Sequence, residues 1–121
     1  YFLEKGSPMI KRAQLIGRLS QDYFTIAVAG THGKTSISAI AAHLLKSAGI
    51  NLTAFVGGIS RNYGSNLVLS EKTDYLLVEA DEFDRSFLNL KPDIAVISSM
   101  DADHLDIYGN KAELVNTFKA F

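Results

Sequence analysis

One glycine loop carries the residues whose types and spacing point most clearly to chemistry. It consists of Gly30, Thr31, His32, Gly33, Lys34, Thr35 and Ser36. An apolar run at 24–29 precedes the loop, and apolar residues at helical spacing follow it. This order is typical of a nucleotide phosphate site, since backbone N–H groups at a helix N-terminus point towards a bound anion. In such a site Lys34 reaches the outer phosphates and the Thr35 hydroxyl ligates Mg²⁺.

The loop departs from the full phosphate-loop pattern at one position. The pattern G-x-x-x-x-G-K-[ST] requires a glycine where this chain has Val28, whereas the part from Gly30 to Thr35 is intact. The alternative interpretation is a glycine-rich turn that caps a helix and binds nothing. The strand before the loop and the helix after it favour the phosphate site.

Two clusters of acidic residues follow later apolar runs. They contain Glu79, Asp81, Glu82 and Asp84, and then Asp101, Asp103 and Asp106. Clustered carboxylates repel one another, so a metal ion or nearby Lys and Arg side chains are expected to offset their charge. Glu79 directly follows the run 75–78, which is the position of the Mg²⁺-directed acid in phosphate-loop proteins. The alternatives are a solvated strand end for Glu79 and a helix cap for Asp81 or Asp84.

The roles of two histidines stay open on the residues alone. His104 lies between Asp103 and Asp106, a setting compatible with a metal ligand, a surface residue or part of a helix cap. His32, inside the glycine loop, either contacts phosphate through its side chain or contributes only its backbone N–H.

The composition narrows the class of protein. A formal net charge of −1 argues against a nucleic-acid partner and against an electrostatic membrane surface. The chain has no cysteine, which excludes a disulfide framework and a thiolate metal site and is compatible with a cytoplasmic protein. No apolar run approaches the ~20 residues that span a bilayer, so no membrane insertion is expected.

The apolar runs predict the strands of an α/β fold, with a mostly parallel sheet and flanking helices on both faces. The predicted strands are residues 24–29, 52–56, 75–78 and 94–97, while 59–73 has the composition of a polar, turn-rich connection. In a parallel sheet, ligands bind beyond the carboxyl ends of the strands. This rule brings the glycine loop and both acidic clusters to one edge.

Helical spacing and capping residues predict the remaining elements. The first helix is expected to begin at Ser7-Pro8 and to run to about residue 19. The second carries an apolar face and ends at Gly49, in the position of a left-handed cap. That face consists of Ile37, Ile40, Ala41, Leu44 and Leu45. One or two helical turns are expected over 83–90, and Asn110 is expected to cap a final helix.

Three ordered blocks of the sequence resemble the Mur ligases. They are GTHGKT at 30–35, EADEFDRSFL at 79–88 and DADHLDIY at 101–108, and Gly57-Gly58 with Asn66 fits between them. The likeness extends over about residues 8–121. The family also lacks the first glycine of the phosphate-loop pattern, so Val28 agrees with it.

The resemblance implies ATP-dependent amide-bond synthesis, in which ATP phosphorylates a muramoyl carboxylate and an amine attacks the resulting acyl phosphate. The blocks are most similar to the members that join L-alanine to UDP-N-acetylmuramate in peptidoglycan precursor synthesis. Two alternatives remain: the members that attach a ready-made tripeptide to the same sugar nucleotide, and a generic phosphate-loop NTPase or nucleotide-binding module. The last would need neither a second metal nor His104.

The resemblance also implies roles for individual residues. Lys34, Glu79 and His104 are expected to be catalytic, with one Mg²⁺ on Thr35 and Glu79 and a second on Glu79 and His104. Residues expected near the muramoyl substrate are Asn66, Asp81 and the stretch Asp84–Ser86. The family has three domains, so residues 1–121 are expected to form part of the central ATP-binding domain. The UDP-sugar and amino-acid domains are then absent, and the chain alone is expected not to ligate.

Overall fold

The computed structural model describes residues 10–81, 83–101 and 109–121. Its helices are α1 (Arg12–Leu19), α2 (Lys34–Ser47) and α3 (Lys111–Ala120), with a 3-10 helix at Phe83–Asn89. Its strands are β1 (Phe24–Ala29), β2 (Leu52–Ser60), β3 (Ser65–Val68), β4 (Tyr75–Glu79) and β5 (Ile94–Ile97). Within these described ranges, none of the helices has the length and apolar character needed to cross a membrane.

The five strands form one sheet in the order β3-β2-β4-β1-β5. Strands β1, β2, β4 and β5 run parallel, and β3 pairs antiparallel with β2. The predicted mostly parallel α/β sheet is therefore confirmed. Since β1 lies between β4 and β5, the loop that follows β1 emerges between the carboxyl ends of its two neighbours.

Helices cover both faces of the sheet, and the side chains of β4 alternate between them. Leu77 packs in a cluster with Ala42 of α2 on one face. Leu76 and Val78 pack with Ile16 of α1 on the other face. On the same face, Ala27 and Ala29 of β1 join a cluster with residues from the 3-10 helix and α3, namely Phe87, Leu114 and Phe118. Burial on both faces explains why these strands are continuous apolar runs.

The first helix begins later than the sequence indicates. Ser7-Pro8 lies outside the described residues, and α1 starts at Arg12. Its first turn is closed by Gln14, whose Oε1 accepts a hydrogen bond of 3.0 Å from the backbone N–H of Lys11. The prediction that the helix begins at Pro8 is wrong, because residues 10 and 11 are not helical.

The region 59–73 holds a hairpin in place of the expected turn-rich connection. Strand β2 continues through Gly57-Gly58 to Ser60, and a tight turn leads into β3. Gly64 closes the turn with φ +61°, and its N–H donates to Ser60 O at 2.8 Å. Strand β3 lies at the edge of the sheet and is only half-buried, so it lacks the apolar run that marks the other strands.

The face that helix α2 turns to the sheet overlaps the predicted one only in part, since Ala41 and Leu45 pack against the core as expected. The buried residues of α2 are Ser38 and Ala42, whereas Ile40 and Leu44 are 60% and 62% exposed. Small side chains on the inner face let the helix lie close to the sheet. The predicted caps are confirmed: Gly49 has φ +80°, and Asn110 Oδ1 accepts from the Glu113 N–H at 2.9 Å.

Candidate functional site

The glycine loop joins β1 to α2 at the carboxyl edge of the sheet. Gly30 has φ +128° and Gly33 has φ +80°, conformations that side-chain-bearing residues rarely adopt. Gly33 is also the N-cap of α2, so the loop leads directly into the first helical turn. A Cβ on Gly30 would collide with Ser98 Oγ, so only glycine fits at this position.

The segment after β5 fastens this loop in place. Thr31 N–H donates to Ser99 O at 3.1 Å, and the Thr31 hydroxyl lies 2.9 Å from Ser99 Oγ. Ser99 Oγ also accepts from the His32 N–H at 3.0 Å, and the Asp101 N–H donates to Thr31 Oγ1 at 3.1 Å. In this arrangement the backbone N–H groups of Thr31 and His32 are directed at protein acceptors.

The first turn of α2 carries the groups suited to an anion. Helix geometry leaves the initial backbone N–H groups without an acceptor inside the helix, and they share the positive end of the helix dipole. Thr35 and Ser36 of this turn are exposed. The Lys34 ammonium donates to Gly30 O at 2.7 Å, so this side chain folds back over its own loop.

The carboxylate of Glu79 meets this helix from the end of β4. Its Oε1 accepts from the Thr35 hydroxyl at 2.7 Å, while its Oε2 accepts from the Ser38 hydroxyl at 3.3 Å and from the Gly57 N–H. All three donors are neutral. Among the residues that the structure describes, Glu79 forms no ion pair with a lysine or arginine. The structure thus brings together Thr35 and Glu79, the two residues expected to share a metal.

A cleft of about 430 Å³ opens beside Glu79, between α1, the end of β4 and the 3-10 helix. Two of the expected substrate residues, Asp81 and Ser86, line it together with Glu79. Lys11 and Arg12 at the start of α1 supply its basic side chains. Apolar walls come from residues such as Ile16, Val78, Phe87 and Leu90.

One of the expected substrate residues, Asn66, lies away from this cleft. Asn66 is exposed on β3, two strands away from β4 in the sheet, and does not line the cleft. His104 lies outside the described residues, as does the side chain of Asp84, so their roles stay predictions. Within residues 10–81, 83–101 and 109–121, the described side chains form no cluster of three His, Cys, Asp or Glu residues that could hold a metal.

Sequence reasoning missed several polar groups that shape the site: Lys11, Arg12, Ser38, Ser98 and Ser99. Two signals were available. Ser98-Ser99 directly follows the β5 run, the same position relative to its strand that drew attention to Glu79. Ser38 lies three residues after Thr35, so helical spacing puts both hydroxyls on one face of α2.

The fold and loop together define a class of protein. A parallel α/β sheet with a glycine loop between a central strand and a helix, and an acid at the end of a neighbouring strand, is the architecture of phosphate-loop domains.

The family model described as the Mur ligase middle domain matches residues 28–121, and the chain belongs to this family. The chain is similar over all of its 121 residues to UDP-N-acetylmuramate--L-alanine ligases. That of Flavobacterium psychrophilum is 56% identical and that of Flavobacterium johnsoniae 54% identical. The match spans 27% of each relative, so the chain corresponds to about a quarter of their length.

Two solved structures of Mur ligases share the fold. One is UDP-N-acetylmuramate:L-alanyl-gamma-D-glutamyl-meso-diaminopimelate ligase from Neisseria meningitides. It matches with a TM-score of 0.83 and 27% identity over 98% of this chain and 42% of that chain. The other is UDP-N-acetylmuramate-alanine ligase MurC from Thermotoga maritima. It matches with a TM-score of 0.82 and 27% identity over 98% of this chain and 28% of that chain.

Proposed function

We propose that this chain is the first part of the central ATP-binding domain of a cytoplasmic ligase that joins L-alanine to UDP-N-acetylmuramate. The contact that carries the proposal is the 2.7 Å hydrogen bond between Thr35 Oγ1 and Glu79 Oε1 at the N-terminus of α2. It sets a hydroxyl and a carboxylate beside a phosphate-type loop. The substrates are taken from the names of relatives that are up to 56% identical to this chain.

ATP is proposed to bind with its outer phosphates at the first turn of α2. The backbone N–H groups there and the helix dipole favour an anion. Residues 30–36 supply the loop, but Thr31 and the His32 backbone act mainly by holding its shape, since their N–H groups bond to Ser99. Lys34 exchanges its bond to Gly30 O for the phosphates, and its positive charge then stabilises the transferring phosphoryl group.

Mg²⁺ fits between Thr35 and Glu79. Adjacent oxygen ligands of an octahedral Mg²⁺ lie about 3.0 Å apart, given Mg–O distances of about 2.1 Å. The 2.7 Å between Thr35 Oγ1 and Glu79 Oε1 is close to that spacing, and Mg²⁺ prefers oxygen ligands of these two types. The ion supplies positive charge that offsets the phosphates of ATP. Glu79 and His104 are proposed to hold a second Mg²⁺.

The cleft beside Glu79 is proposed to receive the muramoyl carboxylate. A carboxylate is a poor acyl donor, and phosphorylation gives it phosphate as a leaving group. Lys11 and Arg12 line the same cleft and offset the approach of one anion to another. Asp81 and Ser86 are proposed to contact the sugar-linked substrate from the cleft wall, and Asn66 from the hairpin.

Calorimetry of a non-hydrolysable ATP analogue, with and without Mg²⁺, tests the phosphate site in the full-length protein. We expect Lys34→Ala to weaken binding at least about 100-fold, the scale of a lost charged contact to phosphate. Lys72→Ala is the matched control, because Lys72 is an exposed lysine paired with Asp74. Equal affinity of the Lys34→Ala variant and the wild type would overturn the nucleotide assignment.

The tripeptide-attaching reaction is the second candidate function. The fold matches the Neisseria ligase, whose name contains a tripeptide, as well as it matches the Thermotoga alanine ligase, with TM-scores of 0.83 and 0.82. Amide formation with L-alanine and with that tripeptide, measured side by side in the full-length protein, separates the two. Full activity of His104→Ala would instead favour a generic phosphate-loop NTPase with one metal.

A further inference from the structure

Two groups outside the catalytic assignment converge on Glu79. The Ser38 hydroxyl reaches Glu79 Oε2 at 3.3 Å from α2, and the Gly57 N–H reaches the same oxygen from β2. Ser38 is fully buried, at 0% exposure, and its one hydroxyl hydrogen is shared between Glu79 Oε2 and Thr35 O, which lies 3.2 Å away. Among the residues that the structure describes, the donor to Oε1 is the Thr35 hydroxyl.

The two glycines of β2 leave room for the same pair of side chains. A Cβ on Gly57 would lie 2.4–2.6 Å from the carboxyl atoms of Glu79. A Cβ on Gly58 would lie 3.1 Å from Thr35 Cγ2. Neither glycine has a positive φ, so the backbone conformation does not require glycine at these positions.

We propose that Ser38, Gly57 and Gly58 are positioning residues that hold the Glu79 carboxylate and the Thr35 hydroxyl at the spacing of two ligands of one divalent cation. Ser38 and the Gly57 N–H fix one carboxylate oxygen, which directs the other towards Thr35. Gly57 excludes a side chain from the space that the carboxylate occupies, and Gly58 does the same beside Thr35. The inference rests on the proposed function, since it assigns these residues to the metal of that site.

A side chain in this space is expected to disturb the arrangement of the site more than the stability of the fold. The atoms that a Gly57 Cβ meets belong to the end of a flexible glutamate side chain, which can rotate away without moving the sheet. Gly57→Ala should therefore fold normally while displacing the carboxylate. A loss of metal response without a loss of stability is the signature that separates positioning from a structural role.

Mg²⁺ titrations of ATP-analogue binding in the full-length protein test the proposal. We expect Gly57→Ala to raise the half-saturating Mg²⁺ concentration about 10- to 100-fold, as for the loss of an outer-shell partner of a metal ligand. Ser38→Ala is expected to raise it about 3- to 10-fold, the scale of one hydrogen bond, and Gly58→Ala to give a smaller shift. Binding measured without Mg²⁺, and the melting temperature, should stay close to wild type for Gly57→Ala.

Ser47→Ala provides the control, since it makes the same change at an exposed position in the last turn of α2. Its Mg²⁺ titration should match the wild type. If Mg²⁺ strengthens binding to the wild type, and Gly57→Ala and Ser38→Ala give the same titration as the wild type, the positioning role is overturned while the metal site stands. Wild-type binding that ignores Mg²⁺ would instead overturn the proposed metal site on which the inference depends.

Discussion

The two ends of strand β4 carry acidic residues that the protein treats differently. Asp74, just before the strand, accepts a hydrogen bond of 2.8 Å from the Asn51 side-chain amide and lies 2.9 Å from the Lys72 ammonium. The Asn51 hydrogen bond, with the help of Lys72, lowers the pKa of Asp74. Glu79, at the other end, is held by neutral donors among the described residues.

This difference agrees with the proposal that Glu79, and not Asp74, holds Mg²⁺. Asp74 has its counter-charge within the chain, in the exposed ammonium of Lys72. Glu79 is oriented by hydrogen bonds but has no lysine or arginine partner in the described part of the chain, so a cation from outside can complete its shell.

The largest expected effect is on the free energy of unfolding, and it compares two aromatic pairs, one near each end of the sheet. Phe87 and Phe118 meet edge to face at 5.5 Å near the carboxyl end, and Phe24 and Tyr75 meet at 5.6 Å near the amino end. Phe87 is 1% exposed, whereas Tyr75 is 38% exposed. We expect Phe87→Ala to lower the free energy of unfolding by about 3–5 kcal/mol, the cost of a large cavity in the core.

Tyr75→Ala is the matched comparison, with an expected loss of about 1 kcal/mol, because most of the lost contact is at the surface. Urea denaturation of both variants measures the two values. Equal losses would show that burial does not distinguish the two ends.

Removing the charge of each carboxylate gives the next largest effect. Glu79→Gln keeps the shape of the side chain but offers a cation only a neutral oxygen, so we expect the affinity for Mg²⁺ with bound nucleotide to fall about 100-fold. Asp74→Asn, the same change at the other end of β4, should leave that affinity unchanged. Calorimetric Mg²⁺ titrations compare them, and similar losses in both variants would contradict the distinction.

A smaller effect is expected on amide hydrogen exchange at two side-chain hydrogen bonds that join the ends of β5 to β1. Ser99 Oγ accepts from the His32 N–H at 3.0 Å beyond the carboxyl end, and Asp93 Oδ2 accepts from the Thr25 N–H at 2.7 Å at the amino end. We expect Ser99→Ala to speed hydrogen exchange at the His32 amide about 10-fold, the effect of one lost bond. Exchange at Thr25 should not change, and faster exchange at both amides would indicate general loosening of the sheet.

The smallest expected effect is the pH dependence that Asp74 contributes. The Asn51 hydrogen bond and the Lys72 ammonium lower its pKa in the folded protein below the ordinary value of 3.8. Such a group stabilises the fold above its unfolded pKa, and the contribution disappears as pH falls through the folded pKa. Asp74→Asn should thus shift the urea midpoint slightly at pH 7 and by less at about pH 3. A constant shift at both pH values would contradict this assignment.

The sequence predicted the elements whose residue pattern is determined by burial within the sheet. Strands β1 and β4 were recognisable because burial within a covered sheet demands continuous apolar runs, whereas β5 carries such a run although Ile94 and Ile97 are 45% and 40% exposed. Strand β3 was missed because an edge strand with one buried residue, Val68, has no such run. The inner face of α2 was partly misjudged because its close approach to the sheet selects Ser38 and Ala42 over Ile40 and Leu44.

The site was predictable to a similar degree. Parallel topology was enough to expect Thr35 near Glu79, since both follow or face the carboxyl ends of adjacent strands. The roles of Ser38, Gly57 and Ser99 depend on distances of a few ångströms between segments far apart in sequence. No spacing rule encodes such contacts, and only the folded arrangement reveals them.

The strand order has a consequence for how the protein is made. Strand β1 leaves the ribosome before both of its partners, β4 and β5, which begin at Tyr75 and Ile94. The hairpin of β2 and β3 can close while synthesis continues, whereas β1 waits for chain that has not yet been translated. The nascent phosphate loop is thus attached to an apolar strand without neighbours, and this interval is when the growing chain most needs protection from aggregation.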